Sequence, residues 1–316
     1  MNLPTKALLQ ATAALALISA LPAQAQPAAA PAAAADPNRL FPDSQLIVRD
    51  RISVEVTGNG PDLVLVPGLA SSRQTWRATA ERLRAHYRLH LVQVAGFSGE
   101  PARANATGEV VIPTAEAIDA YIVERKLAPA VYVGHSLGGT MALWLAEHHG
   151  EHFKKMLIVD SWPAYARVMT QGRPVAPDQA KAMAEQVRTA ASAPATEASK
   201  AAMARQYAFF TKDPDRQKTI TDWSLSSARA VVGQALYDDV VLDMSDGLAA
   251  VKVPITLVYP DNVPAGFPAG LQDKIYGASY ATLPGKTLVP VAASLHFVMW
   301  DQPEAFAQAL DAFLKG

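Results

Sequence analysis

The chain alternates short apolar runs with longer stretches in which apolar residues recur at helical spacing. Residues 62–66 (DLVLV), 130–133 and 156–159 are continuous apolar runs, a pattern typical of strands buried on both faces. Residues 51–56 alternate polar and apolar positions with a period of two, which also predicts a strand. Further strands are predicted at 89–94, 254–259 and 287–291.

Helical patterns separate these strands, at 72–86, 114–126 and 136–149, and an amphipathic helix ends the chain. Strands that alternate with helices predict a mostly parallel sheet with helices on both faces. Between Asp160 and about residue 250 no strong strand pattern occurs, and prolines punctuate an Ala-, Met- and Gln-rich stretch. We interpret residues 161–250 as several helices inserted between two strands of the sheet.

The N-terminal segment has the features of a secretory signal peptide. Lys6 supplies a positive charge, residues 7–21 are mostly apolar, and Ala23-Gln24-Ala25 is a small-x-small cleavage site. The apolar stretch is too short for stable membrane insertion, which needs about 20 apolar residues. We expect cleavage after Ala25 and export to the periplasm or the medium.

Residues 26–37 are almost all Ala and Pro, which predicts a solvated tether ahead of a folded domain at 38–316. Half of all residues are apolar, enough for a sizeable core. Lys and Arg total 28 against 29 for Asp and Glu, a formal charge of -1, and no basic run occurs, so we expect no nucleic-acid partner. Cysteine is absent, which excludes disulfides, thiolate metal sites and a cysteine nucleophile.

The most informative stretch is a Gly-x-Ser-x-Gly motif, Gly134 to Gly138, between a predicted strand and a predicted helix. A serine hydroxyl is a weak nucleophile, and it must protrude from a tight turn where a base can reach it. Glycines two residues to either side leave room for that turn and for close packing of the helix. The helix N-terminus adds free N–H groups that suit a developing oxyanion. Ser136 is therefore the predicted nucleophile.

On these residues the chain resembles the α/β-hydrolase family with a helical cap, over about residues 46–316. The resemblance implies an eight-stranded, mostly parallel sheet and serine chemistry. It places one oxyanion N–H donor on Leu137, the residue after the serine. The second donor belongs to the loop 67–72, where Leu69 is the candidate, although Pro67 stands where the family usually has histidine.

The base in this family is a histidine late in the chain, which here points to His296, after the last predicted strand. His135 lies beside the nucleophile and is not the base by this resemblance. His148 and His152 have i,i+4 spacing, so a metal site is conceivable, but no carboxylate motif accompanies them. We therefore predict no metal and no cofactor.

The acid that orients the histidine comes between serine and histidine in the family order. Asp261 follows the predicted strand 254–259 and is the expected acid, although it comes about two positions earlier than the usual Gly-x-x-Asp pattern. Asp160 ends the preceding strand and is the alternative; Asp273 and Asp243 remain as others. Asp301 resembles a helix-start residue and is expected to be structural.

These residues predict a serine hydrolase that cleaves a small or medium hydrophobic carboxylic ester through an acyl-enzyme. Amide or peptide cleavage, lactone opening and carbon–carbon bond hydrolysis use the same triad and remain alternatives, as does a catalytically dead binding scaffold. Serine at 136 argues against dehalogenase and epoxide hydrolase relatives, which need Asp there. Side chains of the cap are candidates to line the acyl pocket, namely Trp162, Tyr165, Met169, Met183, Met203, Phe209, Phe210 and Trp223. The sequence leaves the oligomeric state open.

Overall fold

The computed structural model describes residues 36–170 and 173–316. The predicted signal peptide lies outside these residues, as does nearly all of the predicted tether. Strands occur where the apolar runs predict them, with one addition at the start: β1 (Gln45–Val48), β2 (Ile52–Thr57), β3 (Asp62–Val66), β4 (Arg88–Val94), β5 (Ala130–His135), β6 (Phe153–Val159), β7 (Ile255–Pro260) and β8 (Thr287–Val291).

The strands form a single sheet in the order β1-β2-β4-β3-β5-β6-β7-β8. β1 and β2 run antiparallel to their neighbours, and every other neighbouring pair is parallel. The predicted eight-stranded, mostly parallel sheet is confirmed. β1 is the strand that the pattern does not predict, because its four edge residues are exposed or only half-buried.

Helices alternate with the strands and cover the sheet: α1 (Arg77–Leu83), α2 (Val111–Glu124), α3 (Leu137–His148), α4 (Tyr165–Met169), α5 (Pro177–Ser192), α6 (Glu197–Tyr207), α7 (Pro214–Ser226), α8 (Arg229–Val241), α9 (Leu271–Ser279), α10 (Val298–Asp301) and α11 (Pro303–Lys315). Within the described residues, no helix is long and apolar enough to cross a membrane.

The central strand β3 shows why this sheet needs helices on both faces. Successive strand residues point to opposite faces, and all four apolar residues of β3 are fully buried. Leu63 and Leu65 pack in a core that includes Leu310 of α11, whereas Val64 packs in a second core with Met141 of α3. Burial of each such side chain contributes roughly 1.5–3 kcal/mol.

Two helices differ from their predicted bounds. The stretch 72–86 divides into a 3₁₀ turn at Arg73–Trp76 and the shorter α1, and Ser72 Oγ accepts a hydrogen bond from Gln74 N (3.1 Å). α2 begins at Val111 rather than at 114, with Pro113 in its first turn. Proline is tolerated there because the first N–H groups of a helix have no intrahelical acceptor. α9 lies where no helix is predicted.

The insertion between β6 and β7 contains the five helices α4 to α8, and we call residues 161–250 the cap insertion. It has a small core of its own, which includes Ala184 and Val240. Its two ends meet: Ala164 and Asp243 form an antiparallel bridge, and Met244 N donates to Pro163 O (2.8 Å). The predicted helical insertion therefore leaves the sheet and returns to it at neighbouring points.

Candidate active site

Ser136 occupies a strained turn between β5 and α3. Its backbone has φ +53° and ψ -121°, and a positive φ in a residue other than glycine costs about 1–3 kcal/mol. Ser136 N donates to Val159 O (2.9 Å), and Ser136 O accepts from Gly139 N (2.7 Å) and Thr140 N (3.0 Å). The hydroxyl caps no N–H of α3, so Oγ stays available at the carboxyl edge of the sheet.

Glycines around the serine are required by close approach of the backbone. A Cβ on Gly134 would lie 2.3 Å from the carbonyl oxygen of Gly138, and a Cβ on Gly138 would lie 2.6 Å from Val66 O. A Cβ on Gly68 would lie 2.9 Å from Ser136 Cβ. Both motif glycines therefore have the packing role that the sequence predicts, and Gly68 brings the loop after β3 against the serine.

His296 lies on the loop between β8 and α10, at the same edge of the sheet. Its Nδ1 is 2.6 Å from Asp160 Oδ2. A carboxylate only accepts hydrogen bonds, so Nδ1 carries the proton and Nε2 keeps a lone pair. Phe297 N donates to Phe210 O (2.9 Å), and the ring of Phe210 is 4.8 Å from that of His296. The cap insertion thus contacts the histidine loop directly.

Asp160, the alternative acid of the sequence analysis, is the carboxylate that contacts this histidine. It follows the last residue of β6 with a φ of +44°, and its N–H donates to Val258 O (2.9 Å). Its Oδ1 accepts a short hydrogen bond from the hydroxyl of Tyr276 in α9. Burial, and then the charge of Asp160, raise the pKa of Tyr276 well above its ordinary value. The phenol therefore keeps its proton and donates to the carboxylate.

The expectation that Asp261 orients the histidine is corrected by this geometry. Asp261 Oδ1 accepts from Val263 N (3.1 Å), and Oδ2 accepts from Ala293 N (2.9 Å). Both of its oxygens accept hydrogen bonds from backbone N–H groups of the loops that follow β7 and β8. Asp261 therefore joins two loops at the sheet edge and makes no contact with the imidazole.

The two further candidates for the acid also have partners elsewhere. Asp273 accepts from the hydroxyl of Tyr259 (2.9 Å). Asp243 binds the guanidinium of Arg167 (2.9 Å) at the base of the cap insertion. Neither carboxylate is among the contacts of His296.

Asp301 has a larger part in the histidine loop than the sequence analysis gives it. Its Oδ2 accepts from Leu295 N (2.9 Å), next to His296, and its Oδ1 accepts from Thr211 Oγ1 (2.7 Å) and Lys212 N (3.0 Å) of the cap insertion. One carboxylate therefore links the histidine loop to the cap insertion. The sequence suggests a helix-start residue, whereas Asp301 ends α10 just before α11, and nothing in the local sequence reveals these partners.

The two predicted oxyanion donors follow Ser136 and Gly68, the glycine that lies against the serine. Leu137 is the first residue of α3, so its N–H has no intrahelical acceptor. Within the described residues, neither Leu69 N nor Leu137 N donates to a backbone oxygen. The Leu69 loop is held by Gln93, which donates to Ser71 O (3.1 Å) and accepts from Arg73 N (2.8 Å). The two leucine N–H groups are thus available to bind an anion.

His135 is fully buried beside the nucleophile and supports the histidine loop. Its Nε2 is 3.1 Å from the carbonyl oxygen of His296, and the two imidazole rings are 4.5 Å apart. Burial, followed by the proximity of His296, lowers the pKa of His135 well below its ordinary value. A neutral ring that donates from Nε2 fits both facts.

Of the cap side chains proposed to line an acyl pocket, Phe210 and Trp162 have aromatic contacts at the candidate site. The ring of Phe210 lies 4.8 Å from that of His296, and the ring of Trp162 lies 4.1 Å from that of Tyr276, which binds Asp160. Phe209 and Met169 are instead largely exposed, at 59% and 43%. The predicted lining residues therefore include side chains at the candidate site and side chains at the protein surface.

The chain matches a known protein family over more than half of its length. Residues 61–239, more than half of the 316 residues, match the family described as alpha/beta hydrolase fold. A pimeloyl-[acyl-carrier protein] methyl ester esterase from Vibrio vulnificus is 34% identical over 133 residues, which cover 42% of this chain and 49% of that protein. The chain thus spans about half the length of the curated relatives it matches.

Solved structures agree over most of the chain. An esterase from Thermogutta terrifontis has a TM-score of 0.68 at 20% identity and covers 86% of this chain and 98% of its own. The esterase EaEST from Exiguobacterium antarcticum has a TM-score of 0.69 at 20% identity, with 84% and 96% covered. At this level of identity the likeness concerns the fold.

Proposed function

This chain belongs to the α/β-hydrolase family, and from that premise we propose that it hydrolyses carboxylic esters through an acyl-serine intermediate. One observation carries the proposal: Ser136 lies in a strained turn at the sheet edge, where His296 Nδ1 is 2.6 Å from Asp160 Oδ2. A serine, a histidine with a free Nε2 and a carboxylate on its Nδ1 are the three groups that acyl transfer needs.

In the acylation step, Ser136 Oγ attacks the carbonyl carbon of the ester while His296 Nε2 takes the hydroxyl proton. The imidazolium that forms is stabilised by Asp160, which is itself held by the hydroxyl of Tyr276. The oxyanion accepts hydrogen bonds from the N–H groups of Leu69 and Leu137. Removal of one such donor typically costs about 2.7–4 kcal/mol of transition-state stabilisation. Collapse of the tetrahedral intermediate breaks the ester bond, and the alcohol leaves with the proton from His296.

Deacylation repeats these steps with water as the nucleophile. His296 takes a proton from water, the hydroxide attacks the acyl carbon, and the same two N–H groups bind the oxyanion. The proton then passes to Ser136 Oγ, which leaves as the free hydroxyl. The carboxylic acid departs, and all three side chains regain their starting protonation states.

The preference for esters over amides has two supports. The Vibrio vulnificus relative is named as a methyl ester esterase, and esters have better leaving groups than amides. Beside the site, Phe210 and Trp162 present aromatic surface, which favours a small or medium hydrophobic acyl chain.

Hydrolysis of p-nitrophenyl esters from acetate to dodecanoate by the chain from residue 26, with Ser136→Ala alongside, tests the proposal. We expect turnover that falls by at least about 10³-fold in the variant, because the covalent step needs the hydroxyl. The acyl chain length with the highest kcat/KM measures the acyl pocket. Mass spectrometry after a serine-directed phosphonate should add one label to the parent chain and none to Ser136→Ala.

Two results would contradict the proposal. Equal ester turnover in Ser136→Ala would remove the acyl-serine, whatever the substrate. No turnover and no phosphonate label in well-folded parent chain would favour a catalytically dead scaffold. A labelled serine without ester turnover would instead direct the search to amides, lactones and carbon–carbon substrates.

A further inference from the structure

Three side chains that can bind a metal ion meet at the sheet edge opposite the candidate active site. Asp119 lies on α2, His149 follows the last residue of α3, and His152 ends the 3₁₀ turn before β6. One carboxylate oxygen and one ring nitrogen of each histidine all lie within 4.8 Å of one another. No step of the proposed reaction uses these residues.

The carboxylate of Asp119 lies between the two imidazoles. Its Oδ1 is 2.8 Å from His152 Nδ1, and its Oδ2 is 3.9 Å from His149 Nδ1. The two rings are parallel within 4°, with centroids 5.9 Å apart. Ligand atoms at about 2.1 Å from a tetrahedral zinc ion lie about 3.4 Å from each other, so small side-chain rotations suffice to surround an ion.

The ligands are accessible to a hydrated ion and fixed at their backbones. The His149 and His152 side chains are 32% and 29% exposed, and that of Asp119 is 11% exposed. His149 N donates to Leu145 O (2.8 Å), and His152 N donates to His149 O (2.9 Å). A preformed set of ligands reduces the entropy lost when a metal binds.

His148, which the sequence pairs with His152, does not belong to this group. Its ring stacks on Trp144 at 4.2 Å, and its Nδ1 hydrogen-bonds to Trp144 O (2.9 Å). The carboxylate that is missing from the local sequence comes instead from Asp119 on another helix. Because the ligands come from two separate segments of the chain, no local sequence motif predicts the site.

We propose that Asp119, His149 and His152 bind a divalent transition-metal ion of the zinc class, with water in the fourth position. Two imidazoles and one carboxylate favour such ions over Mg²⁺, which prefers oxygen ligands. Binding requires a lone pair on His152 Nδ1, which in the free protein faces Asp119. With the ion on Nδ1, the ring carries its proton on Nε2.

The bound ion would join α2 to the connection between α3 and β6. His152 precedes and Asp160 follows the seven residues of β6, so eight residue steps of about 3.3 Å place them about 26 Å apart along the strand. We therefore expect the ion to stabilise the fold without a part in the chemistry, since a ligand that binds only the folded state raises the melting temperature.

Tag-free protein, stripped with a chelator, is titrated with ZnCl₂ by calorimetry and followed by thermal unfolding. The parent chain should bind one Zn²⁺ at this site, and its Tm should rise by several degrees, whereas MgCl₂ should give neither effect. His149→Ala/His152→Ala should weaken Zn²⁺ binding at least about tenfold, the loss that removal of even an outer partner of a metal ligand commonly causes.

Two further variants distinguish a metal site from a merely structural hydrogen bond. Asp119→Asn keeps an acceptor for His152 and should fold, but it should also lose most of the Zn²⁺-dependent rise in Tm. The matched control His148→Ala removes a neighbouring histidine outside the group and should bind Zn²⁺ like the parent. The absence of saturable Zn²⁺ binding in the parent, or equal binding in the double variant, would overturn the proposal.

Discussion

At the scale of single residues, the acid of the candidate triad depends on what surrounds each carboxylate. Asp160 and Asp261 follow neighbouring strands, and both lie at the edge where His296 stands. The Asp160 carboxylate binds the His296 imidazole and the Tyr276 hydroxyl, whereas the two Asp261 oxygens accept hydrogen bonds from two backbone N–H groups. Equivalent positions in the chain thus have different roles.

Replacement of each carboxylate by its amide separates these roles. Asp160→Asn should lower kcat by roughly 10³- to 10⁴-fold on the best p-nitrophenyl ester, because an amide NH₂ facing Nδ1 favours the wrong tautomer of His296. The matched variant Asp261→Asn should keep kcat within about threefold, since it lies outside the triad. The reverse ranking of the two variants would return the catalytic role to Asp261.

The serine and the histidine can be predicted from local sequence, but the acid cannot. Ser136 is marked by two glycines that the turn requires, and His296 by the strand before it and the helix after it. Asp160 has no such local mark, because its partners Tyr276 and His296 are 116 and 136 residues away along the chain. The position of a carboxylate relative to a strand therefore does not identify the acid when its partners are distant in the sequence.

At the scale of elements, the close approach of the start of α3 to the end of β3 determines where Ser136 meets the loop 67–72. A Cβ on Gly138 would lie 2.6 Å from Val66 O and 2.8 Å from Pro67 O, both backbone atoms of the segment that leads to Leu69. Backbone atoms cannot rotate aside as a side chain can. A methyl group at this position must push α3 and the loop 67–72 apart.

Gly138→Ala should therefore destabilise the fold by about 1–3 kcal/mol, as overpacking commonly does, and lower kcat more than it raises KM. Urea unfolding and ester kinetics measure the two effects. Gly277→Ala is the matched control, because its Cβ would meet nothing within 4 Å in the middle of α9. It should be neutral or raise stability by up to about 1 kcal/mol. Equal effects of the two variants would show that contact at Gly138 is unimportant.

The elements themselves are largely predictable, and the exceptions have a common cause. Central strands are continuous apolar runs because helices cover both of their faces, so their sequences identify them. β1 at the sheet edge buries little, and α9 has few buried residues, so neither has a strong apolar pattern. The hydrophobic pattern of a segment reflects how much of it is buried, so elements with little buried surface are not predicted from the sequence.

At the scale of the whole molecule, two buried histidines make the stability of the fold depend on pH. His135 is fully buried, and burial lowers its pKa well below the ordinary value. His90 is 2% exposed, and burial also lowers its pKa, against the opposing effect of Asp62. In the unfolded chain both should titrate near pH 6.5.

Because the unfolded chain takes up these protons before the folded one does, stability should fall as the pH drops below about 6.5. Each histidine contributes at most about 1.4 kcal/mol per pH unit. Urea unfolding at pH 7.5, 6.5 and 5.5 measures the slope, which His135→Asn should reduce. His86→Gln alters an exposed histidine and should leave the slope unchanged. An identical slope in His135→Asn and the parent would contradict this account.

The bridge between Ala164 and Asp243 has a consequence for how such a protein diversifies. The segment between these two residues leaves the sheet and returns to it at neighbouring points. Changes in the length or sequence of this segment therefore need not alter the register of β6 against β7. Loops whose ends are held together tolerate changes in length at little entropic cost. Evolution can therefore replace much of the enclosed segment without changing the sheet, as long as the contacts of Phe210, Thr211 and Lys212 with the histidine loop are kept.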